Sequence, residues 1–458
     1  MSGNGTSAVG RAIARSLKLD YGWTEMRPLA WICLRGWSGW AEEATSLIQA
    51  YDDLRGVHDR LADRPDTQRN ETFRRLTKEI NDLAQTKVAN TPEDRDDAKD
   101  KVSKLLGRAK DLEKALNEAA EQKAEIQELP KTKETARELE RRANDLASSK
   151  TGMSLEVHEA LFKQKTEVLE AVVGDKVAQS RNPKLAPLKG LPPEQYWRLL
   201  IDGNAQKDPP DKHCYDRSSG YMAGMMSGLE LIVDRVDEKV SIDFIKDLHK
   251  AMSQHVTTET ASNFAFNGSP LMSSGSGCFQ EQGLKTGWNG WGTSKEGSKE
   301  GLKELAEMRE RLQKVLEQGE EPVIDVPYFT KSEQEMGSVT VDVVNVGDKL
   351  EKSKIQPVVM KLMTHVLDEY ERTIRNAETE DDKLDAIIDC CRGLGQIHPF
   401  KDANGRLIMF GVMAKLLLEN GLPPTLLKDQ GIMIGQSREE LRKAIKEGQL
   451  KVNGMKTG

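Results

Sequence analysis

The sequence predicts a mainly α fold with one small β element, on three observations. Apolar residues recur at helical intervals through most of the chain, as at Val102, Leu105, Leu112 and Leu116. Helix breakers stand at helix-sized distances, among them Pro92, Pro130 and Asn420-Gly421 followed by Pro423-Pro424. Residues 322–346, around "SVTVDVVNVGD", alternate apolar with polar and give the chain's best strand or hairpin signal.

Taken in order, residues 1–50 hold four of the seven tryptophans, Trp23, Trp31, Trp37 and Trp40, and predict a small aromatic core. Residues 51–180 turn to Ala, Glu, Lys, Asp, Arg and Leu. Pro130 closes one helix there, and Ala136, Leu139, Ala143 and Leu146 mark the next, which predicts an antiparallel, coiled-coil-like arm with a solvated surface. The Pro-rich "RNPKLAPLKGLPP" at 181–193 reads as a boundary, leaving 181–458 as a third domain. Within it, 222–256 reads as two helices, the second capped by Ser241. Residues 261–302, with "GWNGWG" and "SKEGSKEG", read as a long loop whose Trp288 and Trp291 either anchor it or touch a partner. Helices follow over 356–374, over 380–394 with an end at Gly393 and Gly395, and over 405–420.

Composition excludes some functions. The 458 residues carry a net charge of −7, which argues against a general electrostatic grip on nucleic acid. The five cysteines, Cys33, Cys214, Cys278, Cys390 and Cys391, show no CxxC pair or ligand spacing and read as reduced thiols in a cytosolic setting. No run of about 18 apolar residues predicts a membrane span. The Ser/Gly-rich start "MSGNGTSAVG" suits a leaderless bacterial secretion signal, so the expected location is the cytoplasm or, after secretion, a host cell.

The chemistry concentrates in "GQIHPFKDANGRLIMFG", residues 395–411, between an amphipathic helix and an almost wholly apolar one. The second helix starts near Asn404, and a helix start offers unpaired N–H groups and partial positive charge to an anion. Ala403 and Gly405 let a phosphate come close, and Arg406 adds a forked cation suited to polyphosphate. Asp402 can ligate Mg²⁺, which completes its shell from phosphates and water. His398 titrates near neutrality and is placed to take a proton from an incoming hydroxyl. Together these residues suit nucleotidyl or phosphoryl transfer.

This stretch resembles the signature of the Fic family, H-x-F-x-[D/E]-G-N-G-R-x-x-R, with His398, Phe400, Asp402, Asn404, Gly405 and Arg406 in register. "FIKDLHKAM" at 244–252 looks like the family's early helix, and the likeness reaches over roughly 220–425. The resemblance implies a helical core with a small β-hairpin flap, and transfer of AMP or UMP to a Ser, Thr or Tyr hydroxyl of a target protein. His398 would be the base and Asp402 the metal ligand. Asn404, with the backbone of Ala403 to Gly405, would cradle phosphate, Arg406 would meet the outer phosphates, and Phe400 would anchor the loop. The donor is left open between ATP, UTP and CDP-choline, and a phosphocholine or phosphoryl transferase of the same fold stays an alternative. So does a degenerate scaffold that binds a partner. The family suggests a bacterial effector or toxin acting on a host or rival signalling protein such as a small GTPase.

Two positions depart from the signature. Ala403 replaces a glycine, and an alanine resists positive φ. Met409 replaces the last arginine, at a cost of about 1.5 to 3 kcal/mol of donor binding. The family's inhibitory pattern, [S/T]-x-x-x-E-[G/N], does not occur. Outside the cluster, His249 and His255 read as structural or surface residues, and His213-Cys214 lacks companions for a metal site. Cys390 and Cys391 read as one core and one half-exposed thiol.

Overall fold

The computed structural model describes residues 41–456 apart from 65–66, 68–69, 86–91, 149–154, 207–219, 254–297, 319–328, 337–338, 347–351, 398, 401–402 and 430. The expectations for the N-terminal tryptophans, for Trp288 and Trp291, and for His213, Cys214 and His255 lie outside the described residues. The chain forms two compact units, Met1–Glu125 and Ile126–Gly458.

In the first unit, α1 (Ala41–Ala62), α2 (Glu71–Gln85) and the start of α3 (Pro92–Gln127) share a core of Leu54, Val57, Leu61, Leu76, Ile80, Val102, Leu105, Leu112 and Leu116. This differs from a solvated arm. The short apolar runs, each too weak for a coiled-coil seam, converge from three helices and bury one another. Ion pairs such as Arg60 to Glu113 and Arg108 to Glu79 decorate the outside and add little stability at such exposure.

The second unit is a helical stack. Helix α4 (Lys133–Ser148) packs on α5 (Leu155–Gln179), α5 on α6 (Tyr221–Asp234), and α6 on α7 (Ile242–Ser253). Ser241 caps α7 as expected, accepting from the Phe244 N–H at 3.1 Å. The Pro-rich stretch at 181–193 is no boundary. It winds into two 3₁₀ segments, Pro183–Leu188 and Pro193–Leu200, with Leu185, Leu188, Tyr196 and Trp197 buried. Pro193 sits so near α5 that a Cβ on Gly174 would lie 2.4 Å from its ring. The second unit therefore begins at Ile126, upstream of the prolines, because their apolar neighbours are core.

Helix α8 (Lys299–Glu317) begins within the last four residues of the stretch that reads as loop and runs on beyond it. Its stripe of Leu302, Leu305, Met308, Leu312 and Leu316 is buried, and Ser298 caps it by accepting from the Gly301 N–H at 3.0 Å. Strands β1 (Phe329–Met336) and β2 (Val339–Val346) pair antiparallel, from Phe329 opposite Val346 to Met336 opposite Val339, where the alternation predicts a hairpin. Helix α9 (Lys352–Arg375) packs on α10 (Glu380–Ile397). The latter runs on through both glycines to Ile397 rather than ending at them. Gly393 serves close packing instead, since a Cβ there would lie 2.9 Å from Val366 Cγ2.

The closing elements lock the stack. A helical rod over 404–419 ends at Asn420 as its sequence predicts, with Gly421 at φ 72° and the Leu422 N–H donating to the Leu417 carbonyl. Helix α11 (Arg438–Gly454) carries a capping box between Ser437 and Glu440. Ser298 donates its hydroxyl to Glu440 at 2.6 Å and its N–H to the Gly435 carbonyl at 2.7 Å, pinning the start of α8 to the start of α11. Buried Arg392 of α10 reaches Glu304 at 2.6 Å and the Gly301 carbonyl at 2.9 Å. Among the described residues no helix is long and apolar enough to cross a membrane.

Candidate active site at the head of the rod

The rod begins with a turn, Asn404–Arg406, continues as a π-helix over Leu407–Val412 and finishes as an α-helix over Met413–Glu419. Its first internal bond runs from the Leu407 N–H to the Ala403 carbonyl at 2.9 Å. The N–H groups of Asn404, Gly405 and Arg406 thus precede the first turn's bonding, in the geometry that receives anions. Gly405 and Ala403 are half-buried, so this end is open to solvent.

Ala403 departs from expectation. It stands at φ 61°, ψ 11°, and among the described residues it alone has positive φ without being glycine. An alanine in this region costs about 1–2 kcal/mol, and rod and loop together hold it there. Ala403→Gly relieves that strain at the expense of unfolded-state entropy, for a net gain of about 0.5–1 kcal/mol in urea unfolding.

Asn404 also acts differently from its expected place in a phosphate cradle. It is buried, its Nδ2 donates to the Phe400 carbonyl at 2.6 Å, and its Oδ1 accepts from the Phe400 N–H at 2.9 Å. The side chain closes a ring on the preceding loop, so its amide is engaged within the protein. Phe400 is fully buried, as an anchor should be, and stacks on His249 of α7 with ring centroids 4.0 Å apart and planes 6° apart. His249, read from the sequence as structural or surface, is buried in the apolar stripe of Ile245, Leu248 and Met252, so the structural reading holds. His398 and Asp402 lie outside the described residues, as does Lys401.

Arg406 is half-buried, and its guanidinium lies 4.9 Å from the ring centroid of Tyr221, the first residue of α6. Among the described residues it has no carboxylate or carbonyl partner. Arg235, Arg392, Arg438 and Arg442 of the same unit all have one. Met409 is buried in the π-helical turn. Farther along, Gly411 lets α7 approach, since a Cβ would meet Met252 Sδ at 2.9 Å. Lys415 is wholly buried, and donates to the Val236 and Glu238 carbonyls and to Glu419. Burial pushes its pKa down while the Glu419 carboxylate opposes that shift. It ties the rod to the residues just after α6.

The cysteines offer no nucleophile. Cys390 and Cys391 are both buried, correcting the half-exposed expectation, and burial pushes both thiols up, so neither is a ready nucleophile. Among the described residues no group of three His, Cys, Asp or Glu side chains stands together for a metal.

No known family's sequence profile matches the chain. The chain is similar to the phosphocholine transferase AnkX of Legionella pneumophila subsp. pneumophila, at 26% identity over 286 residues covering 58% of this chain. It spans 28% of that protein's length, so the likeness joins this chain to a segment of a known transferase.

Proposed function

We propose that the chain is a Fic-type transferase that moves phosphocholine from CDP-choline to a hydroxyl of a target protein. One observation carries this reading: Arg406, half-buried at the open head of the rod beside backbone amides, has no anionic partner among the described residues. A half-buried cation left so, where Arg235, Arg392, Arg438 and Arg442 each hold a carboxylate, suits a phosphate-bearing donor. The similarity to a phosphocholine transferase favours CDP-choline over the nucleoside triphosphates. Met409 favours it too, since the site then lacks the second cation that a triphosphate would use.

In this reading His398 takes the proton of the acceptor hydroxyl as that oxygen attacks the phosphorus bearing choline. The new bond is oxygen to phosphorus, the bond broken is the bridge to CMP, and CMP leaves with its negative charge facing Arg406 and the amides of 403–405. Bound Mg²⁺ supplies charge neutralisation at the pyrophosphate. The hairpin β1–β2 serves as the flap over the donor. The acceptor is a Ser, Thr or Tyr of a signalling protein in a host or rival cell.

A second reading keeps the residues and changes the donor: attack at the α-phosphorus of ATP or UTP would transfer AMP or UMP. The test incubates the full chain with Mg²⁺, a cell lysate and CDP-choline, ATP or UTP, each labelled in turn. Label from CDP-choline alone, lost with His398→Ala, is the expected result. Label from ATP or UTP alone selects the second reading, and label that survives His398→Ala overturns the role given to the histidine.

A further inference from the structure

Resting on the transferase reading, we infer that Tyr221 is the positioning residue for Arg406, holding the guanidinium in the plane that meets the donor's phosphates. Three arginines of the second unit lie over aromatic rings among the described residues, and their surroundings differ. Arg235 lies 5.0 Å from the centroid of Phe244 while its nitrogens are bound to Glu238 and Asp247. Arg198 lies 4.7 Å from the Trp197 centroid and donates to Gln195 and Gln206. Arg406 has the ring of Tyr221 and no hydrogen-bonded partner among the described residues. A ring face attracts the cation without using its N–H donors or cancelling its charge, so the fork is held yet stays available.

The ring itself is fixed. Tyr221 is 2% exposed, its hydroxyl donates to the Leu200 carbonyl at 3.2 Å, and α6 starts at it through Gly220 at φ 86°. The platform therefore belongs to α6 and the 3₁₀ segment before it, while the cation belongs to the rod. Donor affinity should depend on this contact, and proton transfer at His398 should not.

The test measures the dissociation constant of Mg²⁺·CDP-choline by calorimetry for the full chain and its variants, with thermal unfolding as a check on folding. Tyr221→Leu is expected to weaken binding about 5- to 20-fold, and Tyr221→Phe, which keeps the ring and loses the hydroxyl, to stay within about twofold of wild type. In an Arg406→Ala background, Tyr221→Leu should have no further effect, because the cation it positions is gone. Should Tyr221→Leu unfold the protein, Tyr221→Met offers an unbranched apolar side chain for the same comparison. Unchanged affinity in the leucine or methionine variant, an equal loss in the Arg406→Ala background, or a Phe variant as weak as the Leu variant would each overturn the positioning role. Wild-type protein that binds neither CDP-choline, ATP, UTP nor pyrophosphate removes the transferase reading, and this inference with it.

Discussion

Asn404→Ala is expected to lower the stability of the second unit by about 2–5 kcal/mol and to abolish transfer. The substitution strands two buried backbone groups, the Phe400 N–H and the Phe400 carbonyl, both bound to the Asn404 amide. Each orphaned group costs about 1–3 kcal/mol where water cannot reach it. Phe400 would then lose both bonds to the rod while keeping its stack on His249, two residues beyond the histidine proposed to take the proton. Asn404→Asp separates the two bonds: it still accepts from the N–H, but its second oxygen faces the carbonyl without a proton to give. Urea unfolding of both variants checks the result. An alanine variant as stable as wild type would show that the ring between loop and rod carries no load.

Gly301→Ala should be the most damaging change outside the candidate site. A Cβ there would lie 2.3 Å from the carbonyl carbon of Gln436 and 2.5 Å from the Ser437 nitrogen, and backbone cannot swing aside as a side-chain tip can. The expected cost is about 3 kcal/mol or more, the upper end for overpacking. It would part α8 from α11, breaking the Ser298 bonds to Gly435 and Glu440, and would disturb the carbonyl that receives Arg392. Unfolding midpoints compared with Gly107→Ala provide the check. Gly107 sits in α3 with nothing within 4 Å of its would-be Cβ, so alanine there is expected to be neutral or stabilising.

Much of the helical framework is legible in the sequence because periodicity and caps agree: the Ser241 cap, the hairpin alternation and the Asn420-Gly421 stop each form where local chemistry puts them. What is not legible depends on distant partners. The stripe of α8 hides behind a Gly- and Ser-rich approach, and the prolines at 181–193 look like a linker until their leucines meet α5 and α6. Gly393 looks like a stop because no local rule reveals Val366 waiting across the helix pair. At the site, residue types point to an anion, yet the sequence does not say that Asn404 turns inward to Phe400, or that Arg406 rests on a tyrosine 185 positions earlier. Such pairings are set by tertiary packing, which leaves no short-range trace.

The π-helical turn over 407–412 has a consequence for comparing this chain with its relatives. Closing each hydrogen-bonded ring from i to i+5 takes one residue more than an α-turn does, which is what a single inserted residue leaves in a helix. Counted along an uninterrupted α-helix, position 409 would stand one turn above Arg406; here the wider coil delivers methionine into the interior. Counting along the signature therefore fixes which residue stands at position 409, while the π-turn fixes the direction its side chain takes.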